Sequence, residues 1–235
     1  KFLIYIPALL IAAIPSGLVL MQPDLGTGLM IFVAGLAVIF VSGLPKRYVL
    51  LGIALVAACI PIIWSQLYDY QKSRLLTFLN PEKDVLGAGW QITQSKIALG
   101  SGGLFGKGFL QGSQSQLDYL PEKQTDFVFT LIGEEFGFIG NSAIIFVYFL
   151  IIISITGIGL KAKNRFSRLV ASGLAMVIFL YVFVNIAMVT GVLPVVGAPL
   201  PLLSYGGTAL LTVFVILGIS MNLSQNSQKE DLEIS

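Results

Sequence analysis

Six stretches of about twenty mostly apolar residues limit what this chain can become: 2–21, 25–43, 48–67, 138–160, 169–189 and 202–223. A helix of that length spans the hydrocarbon layer of a bilayer, and one that is apolar all round has no face to give to water. Composition agrees. Of 235 residues, 56% are hydrophobic and 11% charged, with a mean hydropathy of +0.89. A soluble domain carries roughly 25% charged residues, so these charges could not cover a water-facing surface. The expected fold is an all-α integral membrane protein. It is a polytopic helical bundle over residues 1–223 with one large non-membrane loop, 68–125, and a disordered polar tail, 224–235.

The charges orient this bundle. Lys46 and Arg47 fill one short loop, and Lys161, Lys163, Arg165 and Arg168 fill another, with no acid among them. The short turns on the opposite side hold Asp24 and no Lys or Arg. Basic residues stay on the cytoplasmic side, so both termini are expected in the cytoplasm and loop 68–125 on the extracytoplasmic face. A net charge of +2 gives no basis for a nucleic-acid partner. With no histidine, imidazole metal sites and Ser-His triads are excluded within this chain, and the single cysteine, Cys59, excludes an intrachain disulfide.

Loop 68–125 mixes both signs of charge and keeps apolar residues such as Leu75, Trp90, Ile92 and Leu99 at intervals, the pattern of an ordered loop with interfacial helices. Its glycine-rich run, Gly100 to Gly108, is no phosphate loop. Ser101 stands where the first glycine of a Walker sequence belongs, and Gly108 stands where the hydroxyl belongs. Its glycines suit close backbone approach or tight turns. A second irregular stretch, 190–203, holds Pro194, Pro199 and Pro201 with Gly191 and Gly197. Three prolines preclude a regular helix, and apolar irregular backbone at membrane depth must be covered by protein or line a wet cavity. It is expected to pack near Asp126 and shape the cavity mouth.

Asp126 begins an apolar helical stretch. Such a carboxylate can cap the helix, or serve as a general base at the membrane edge. On a regular helix Gly133 and Gly137 would share its face. Glu134 and Glu135 lie further along, either turned to a cavity or paired with loop lysines. Asp24 can cap the second helix or line the cavity. Lys96, Lys107 and Lys123 are each solvated residues or, together, point charges able to hold a pyrophosphate.

Three blocks resemble the SEDS family (shape, elongation, division and sporulation), and closest to its cell-elongation branch. The first is Gln22-Pro23-Asp24-Leu25-Gly26-Thr27. The second runs from Gln94-Ser95-Lys96 through Gly102-Gly103 to Leu120-Pro121-Glu122 and Thr125-Asp126-Phe127. The third joins Asn185 to Gly191-Val192-Leu193-Pro194, Gly197, Pro199-Leu200-Pro201 and Ser204-Tyr205-Gly206-Gly207.

The resemblance implies a peptidoglycan glycosyltransferase of the bacterial inner membrane that polymerises lipid II into glycan strands during cell elongation and rod-shape maintenance. The transfer would invert, with Asp126 as general base. Gln22, Asp24, Lys96, Lys107, Lys123, Glu134, Ser204 and Tyr205 would contact substrate. Stabilisation of the departing pyrophosphate would fall to a lysine or a divalent cation, Mg or Mn; the sequence does not choose. The implied partners are lipid II, a class B penicillin-binding protein transpeptidase and membrane lipids. Family members have about ten spans. This chain matches the last six and lacks the family's Gln-Pro-Ser-Glu motif, so alone it is expected not to be a complete enzyme. Rival readings are a lipid-linked precursor flippase or transporter, with ionisable groups at the midplane, and a non-catalytic scaffold of the elongation complex.

Overall fold

A computed structural model describes residues 5–22, 24–81, 84, 87–113 and 124–232. The described residues form eight helices and no strand: α1 (Ile6–Leu20), α2 (Leu25–Val41), α3 (Lys46–Gln66), α4 (Asp69–Leu79), α5 (Ala88–Ser101), α6 (Val128–Lys161), α7 (Arg165–Val189) and α8 (Gly207–Leu232). Among them α6, α7 and α8 are long and apolar enough to cross a membrane, while α1 and α2 are shorter apolar helices.

The core lies between α6 and α7, where Tyr148, Ile155, Ala171, Ala175 and Ile178 are buried, with Ile216 and Leu223 of α8 against them. Small residues let α1, α2 and α7 approach closely, as membrane helices do without a hydrophobic drive between them. A Cβ on Gly35 would lie 2.5 Å from the Ala12 Cβ, and one on Gly173 would lie 2.9 Å from Val38. The Ser16 hydroxyl, buried in α1, donates to the Gly28 carbonyl of α2 at 2.5 Å. No described side chain of α3 is buried.

Two ends can be told apart. At one, Arg165 donates to the Ser42 carbonyl (2.7 Å) and the Tyr5 hydroxyl donates to the Gly43 carbonyl (3.2 Å), so the two basic turns and the start of α1 are neighbours. At the other, the start of α2 abuts the proline-rich stretch, where a Cβ on Gly26 would come within 2.6 Å of Val196.

Four expectations change. Helix α6 begins ten residues before 138, and it is broken at Gly137 (φ 67°, ψ −163°), so Asp126, Gly133 and Gly137 share no continuous helical face. The stretch expected as helix from 202 starts at Gly207, because Leu202 adopts φ 67° and a turn follows. Helix α5 is no surface helix: Ile92, Gln94, Ser95 and Ala98 are buried in the bundle, and the Ser95 hydroxyl shares hydrogen bonds with Thr130 Oγ1 (2.6 Å) and the Val189 carbonyl (2.7 Å). The tail expected to be disordered continues α8 to Leu232, since Ser224 to Leu232 contains no glycine or proline to stop it.

Candidate functional site

Asp126 sits in a turn, 124–127, just before α6. The cap position itself belongs to Phe127, which makes no side-chain capping bond. What holds the turn is the 185–205 segment. Three successive carbonyls are taken: Gln124 by the Tyr205 amide (2.8 Å), Thr125 by the Ser204 hydroxyl (2.5 Å) and Asp126 by Asn185 Nδ2 (2.8 Å). Asn185, fully buried, also donates to the Ala198 carbonyl (2.6 Å), and Ser204 Oγ accepts from the Leu200 amide (2.7 Å). Hydrogen bonds of this kind contribute about 1 kcal/mol each, and far more is lost when a buried partner is orphaned. The Asp126 backbone is therefore fixed while its carboxylate stays half-buried.

The segment can wrap this way because of its glycines and prolines. Gly191 (φ 73°) ends α7, with the Val192 and Leu193 amides turning back onto the Ala187 carbonyl at 2.7 and 3.0 Å. Gly197 (φ 71°) passes under the aspartate; a Cβ there would lie 3.4 Å from Asp126 Oδ2. The Pro201 carbonyl, in a turn outside any helix, takes the Tyr148 hydroxyl of α6. The stretch thus lies against Asp126.

The sequence candidates separate in space. Lys96, exposed on α5, reaches across Gly191, where a Cβ would lie 2.5 Å from its Nζ. Lys107 is engaged elsewhere. Its Nζ pairs with buried Glu134 at 2.7 Å and donates to Ser113 Oγ at 2.9 Å, while Ser113 donates to the same carboxylate at 3.2 Å. Asp24 caps α2 by accepting from the Thr27 amide at 3.0 Å. Gln22 is exposed in the turn after α1, Ser204 is half-buried under Thr125, and Tyr205 is 78% exposed. Lys123 lies outside the described residues.

Three further residues belong here, and Arg74 is the one that sequence reasoning passed over. Asn185 is the buried bridge to Asp126. Arg74 of α4 donates to the Val195 carbonyl at 3.3 Å, so a second cation, besides Lys96 at Gly191, lies against the 190–203 stretch. Glu135 lines a cavity of about 840 Å³ beside the aspartate turn, with Gln124, Val128 and Ser204 in its wall. Asn185 stands in the third family block and Glu135 is an acid within an apolar run, both legible in the sequence, whereas Arg74 carried no distinguishing signal. Among the described residues no three carboxylate, thiol or imidazole groups converge.

Comparison with known proteins gives these positions a setting. Peptidoglycan glycosyltransferase MrdB of Escherichia coli is 50% identical over 222 residues, 94% of this chain and 58% of MrdB. The chain therefore spans somewhat more than half the length of that curated relative. A chain in the structure of a peptidoglycan synthase complex that coordinates polymerization and crosslinking superposes with a TM-score of 0.79 at 31% identity, covering 95% of this chain and 62% of that one. A mutant of the rod shape determining protein RodA from Thermus thermophilus superposes at 0.62 with 29% identity, covering 95% and 57%. The family profile of FtsW, RodA and SpoVE, described as cell cycle protein, matches residues 2–229, and the chain belongs to that family.

Proposed function

We propose that this protein is the glycan-polymerising part of a peptidoglycan glycosyltransferase, acting on lipid II in the bacterial inner membrane. The observation that carries the reading is Asp126: a half-buried carboxylate on a turn pinned at three successive carbonyls, beside a large cavity and at the end of the bundle away from the basic turns. A general base must hold one position while its carboxylate remains able to reach a hydroxyl, and this arrangement supplies both conditions.

In this reading both termini face the cytoplasm, and Asp126 faces the side where lipid-linked sugars are displayed. Asp126 takes the proton from the 4-hydroxyl of the acceptor GlcNAc. The oxygen attacks the anomeric carbon of the donor glycan, the bond to the undecaprenyl pyrophosphate breaks, and configuration inverts. Such a displacement needs no second, nucleophilic carboxylate. Lys96 is the cation that meets the departing pyrophosphate; Lys107 is already neutralised by Glu134. The likeness to a chain of a complex that couples polymerization to crosslinking supports a class B penicillin-binding protein transpeptidase as partner.

The test is lipid II polymerisation by the full-length protein and by its Asp126→Asn variant. The amide preserves size, so folding and lipid II binding should persist, while the rate should fall about 10²–10⁴-fold for want of the base. A well-folded Asn variant that polymerises at close to the wild-type rate overturns the assignment.

A further inference from the structure

Glu135 is 4% exposed and lines the 840 Å³ cavity, yet its carboxylate has no hydrogen-bond or ion-pair partner among the described residues. Its neighbour Glu134 shows what the fold does with a buried carboxylate it means to neutralise, giving it Lys107 and Ser113. Burying a charge unpaired is costly, and an apolar side chain of similar size would serve packing better. The rest of the cavity wall is largely apolar, with Leu131, Leu203 and Leu210 among its members, and Ser204, Gln124 and Tyr205 at its polar edge. Leu110 (φ 59°) and Leu202 (φ 67°), the only non-glycine residues with positive φ among those described, both line it, and strain of this kind collects at functional sites.

We propose that Glu135 is a substrate-binding residue whose carboxylate accepts hydrogen bonds from sugar hydroxyl or amide N–H groups of the lipid-linked saccharide, with the diphosphate directed away from it toward Lys96. This rests on the polymerase reading and adds a direction to it. The segment from Gly191 to Gly207 meets Lys96 at Gly191, Asp126 at Gly197 and the cavity from Leu202 onward. A donor laid along it with its diphosphate at the cation and its saccharide in the cavity passes its anomeric carbon by Asp126. The reverse placement would set a dianion against a buried carboxylate, which charge alone forbids.

The experiment compares full-length wild type, Glu135→Gln and Glu135→Leu, reconstituted in vesicles. It measures KM and kcat for lipid II polymerisation and the melting temperature. Lipid II binding is measured in an Asp126→Asn background, so that no turnover intervenes. Glu135→Leu should raise KM and weaken binding about tenfold or more, with kcat within about threefold. Its melting temperature should hold or rise, because an unpaired buried charge is gone. Glu135→Gln keeps an acceptor oxygen and should fall between. Unchanged KM and binding overturn the proposal. So does a loss of activity that merely follows a lowered melting temperature in both variants, or a changed response to divalent cations with lipid II affinity intact. If wild type itself neither binds nor polymerises lipid II, the polymerase reading fails and this proposal falls with it. If wild type does both and the variants bind equally well, only this proposal fails.

Discussion

Two junctions hold the candidate site, and they are built on opposite principles. The turn carrying Asp126 is tied to the 185–205 segment largely through side-chain donors, Asn185 and Ser204. The break in α6 is tied to the glycine-rich loop chiefly through backbone, with the Lys107–Glu134 ion pair beside it. The Lys107 and Gly108 amides donate to the Glu134 and Glu135 carbonyls, both at 3.0 Å, and the Phe138 and Ile139 amides donate to the Gly103 and Leu104 carbonyls at 2.9 and 3.2 Å. A junction made from side chains can be weakened one group at a time. A junction made from backbone needs contact so close that no Cβ fits, and it fails as a unit.

The sharpest way to break this contrast is Gly106→Ala. A Cβ there would lie 2.1 Å from the Glu135 carbonyl oxygen, and the residue sits at φ 80°. The loop must lift off α6, and thermal or denaturant unfolding of the full-length protein should show a loss of about 3–5 kcal/mol. Asn185→Ala attacks the other junction. It strands the half-buried Asp126 carbonyl and the buried Ala198 carbonyl, and the expected loss is smaller, about 2 kcal/mol. The Asn185 Oδ1 is itself buried with no hydrogen-bond partner among the described residues, so its removal offsets part of the cost. Activity should nonetheless drop in kcat, because the base is no longer held in place; an unchanged kcat would show that the bridge serves only packing. The mildest test concerns Lys107 and Glu134. Lys107→Met should cost about 1 kcal/mol, discounted because the lysine is 29% exposed, and adding Glu134→Gln should restore most of it. Additive losses in that double-mutant cycle would mean the pair is not coupled.

Much of the architecture was readable from apolar runs, and Asp126 stood out because a carboxylate opened one of them. What stayed hidden depended on partners far away in the chain. A glycine inside an apolar run fits a close helix contact or a helix break equally well. Gly137 chose the break because Gly106, thirty-one residues earlier, lies against it. Lys96 and Lys107 look alike as loop lysines, and only the fold assigns Glu134 to one of them. Loop 68–125 reads as a loop with interfacial helices, yet Ser95 of α5 is buried, acceptable once Thr130 and the Val189 carbonyl are within reach.

The glycine loop has an electrical consequence too. Cutting a helix in two exposes a negative pole on one half and a positive pole on the other, each equivalent to about half an elementary charge. Within α6 the first half ends in the Glu134 and Glu135 carbonyls and the second begins with the Phe138 and Ile139 amides. Loop amides lie against the first pole and loop carbonyls against the second, so the two dipoles are terminated locally by peptide groups of opposite polarity. Helix α6 can therefore be interrupted beside an apolar cavity without a bare pole in a low-dielectric setting, and the Glu135 carboxylate is shielded from the negative end of its own helix.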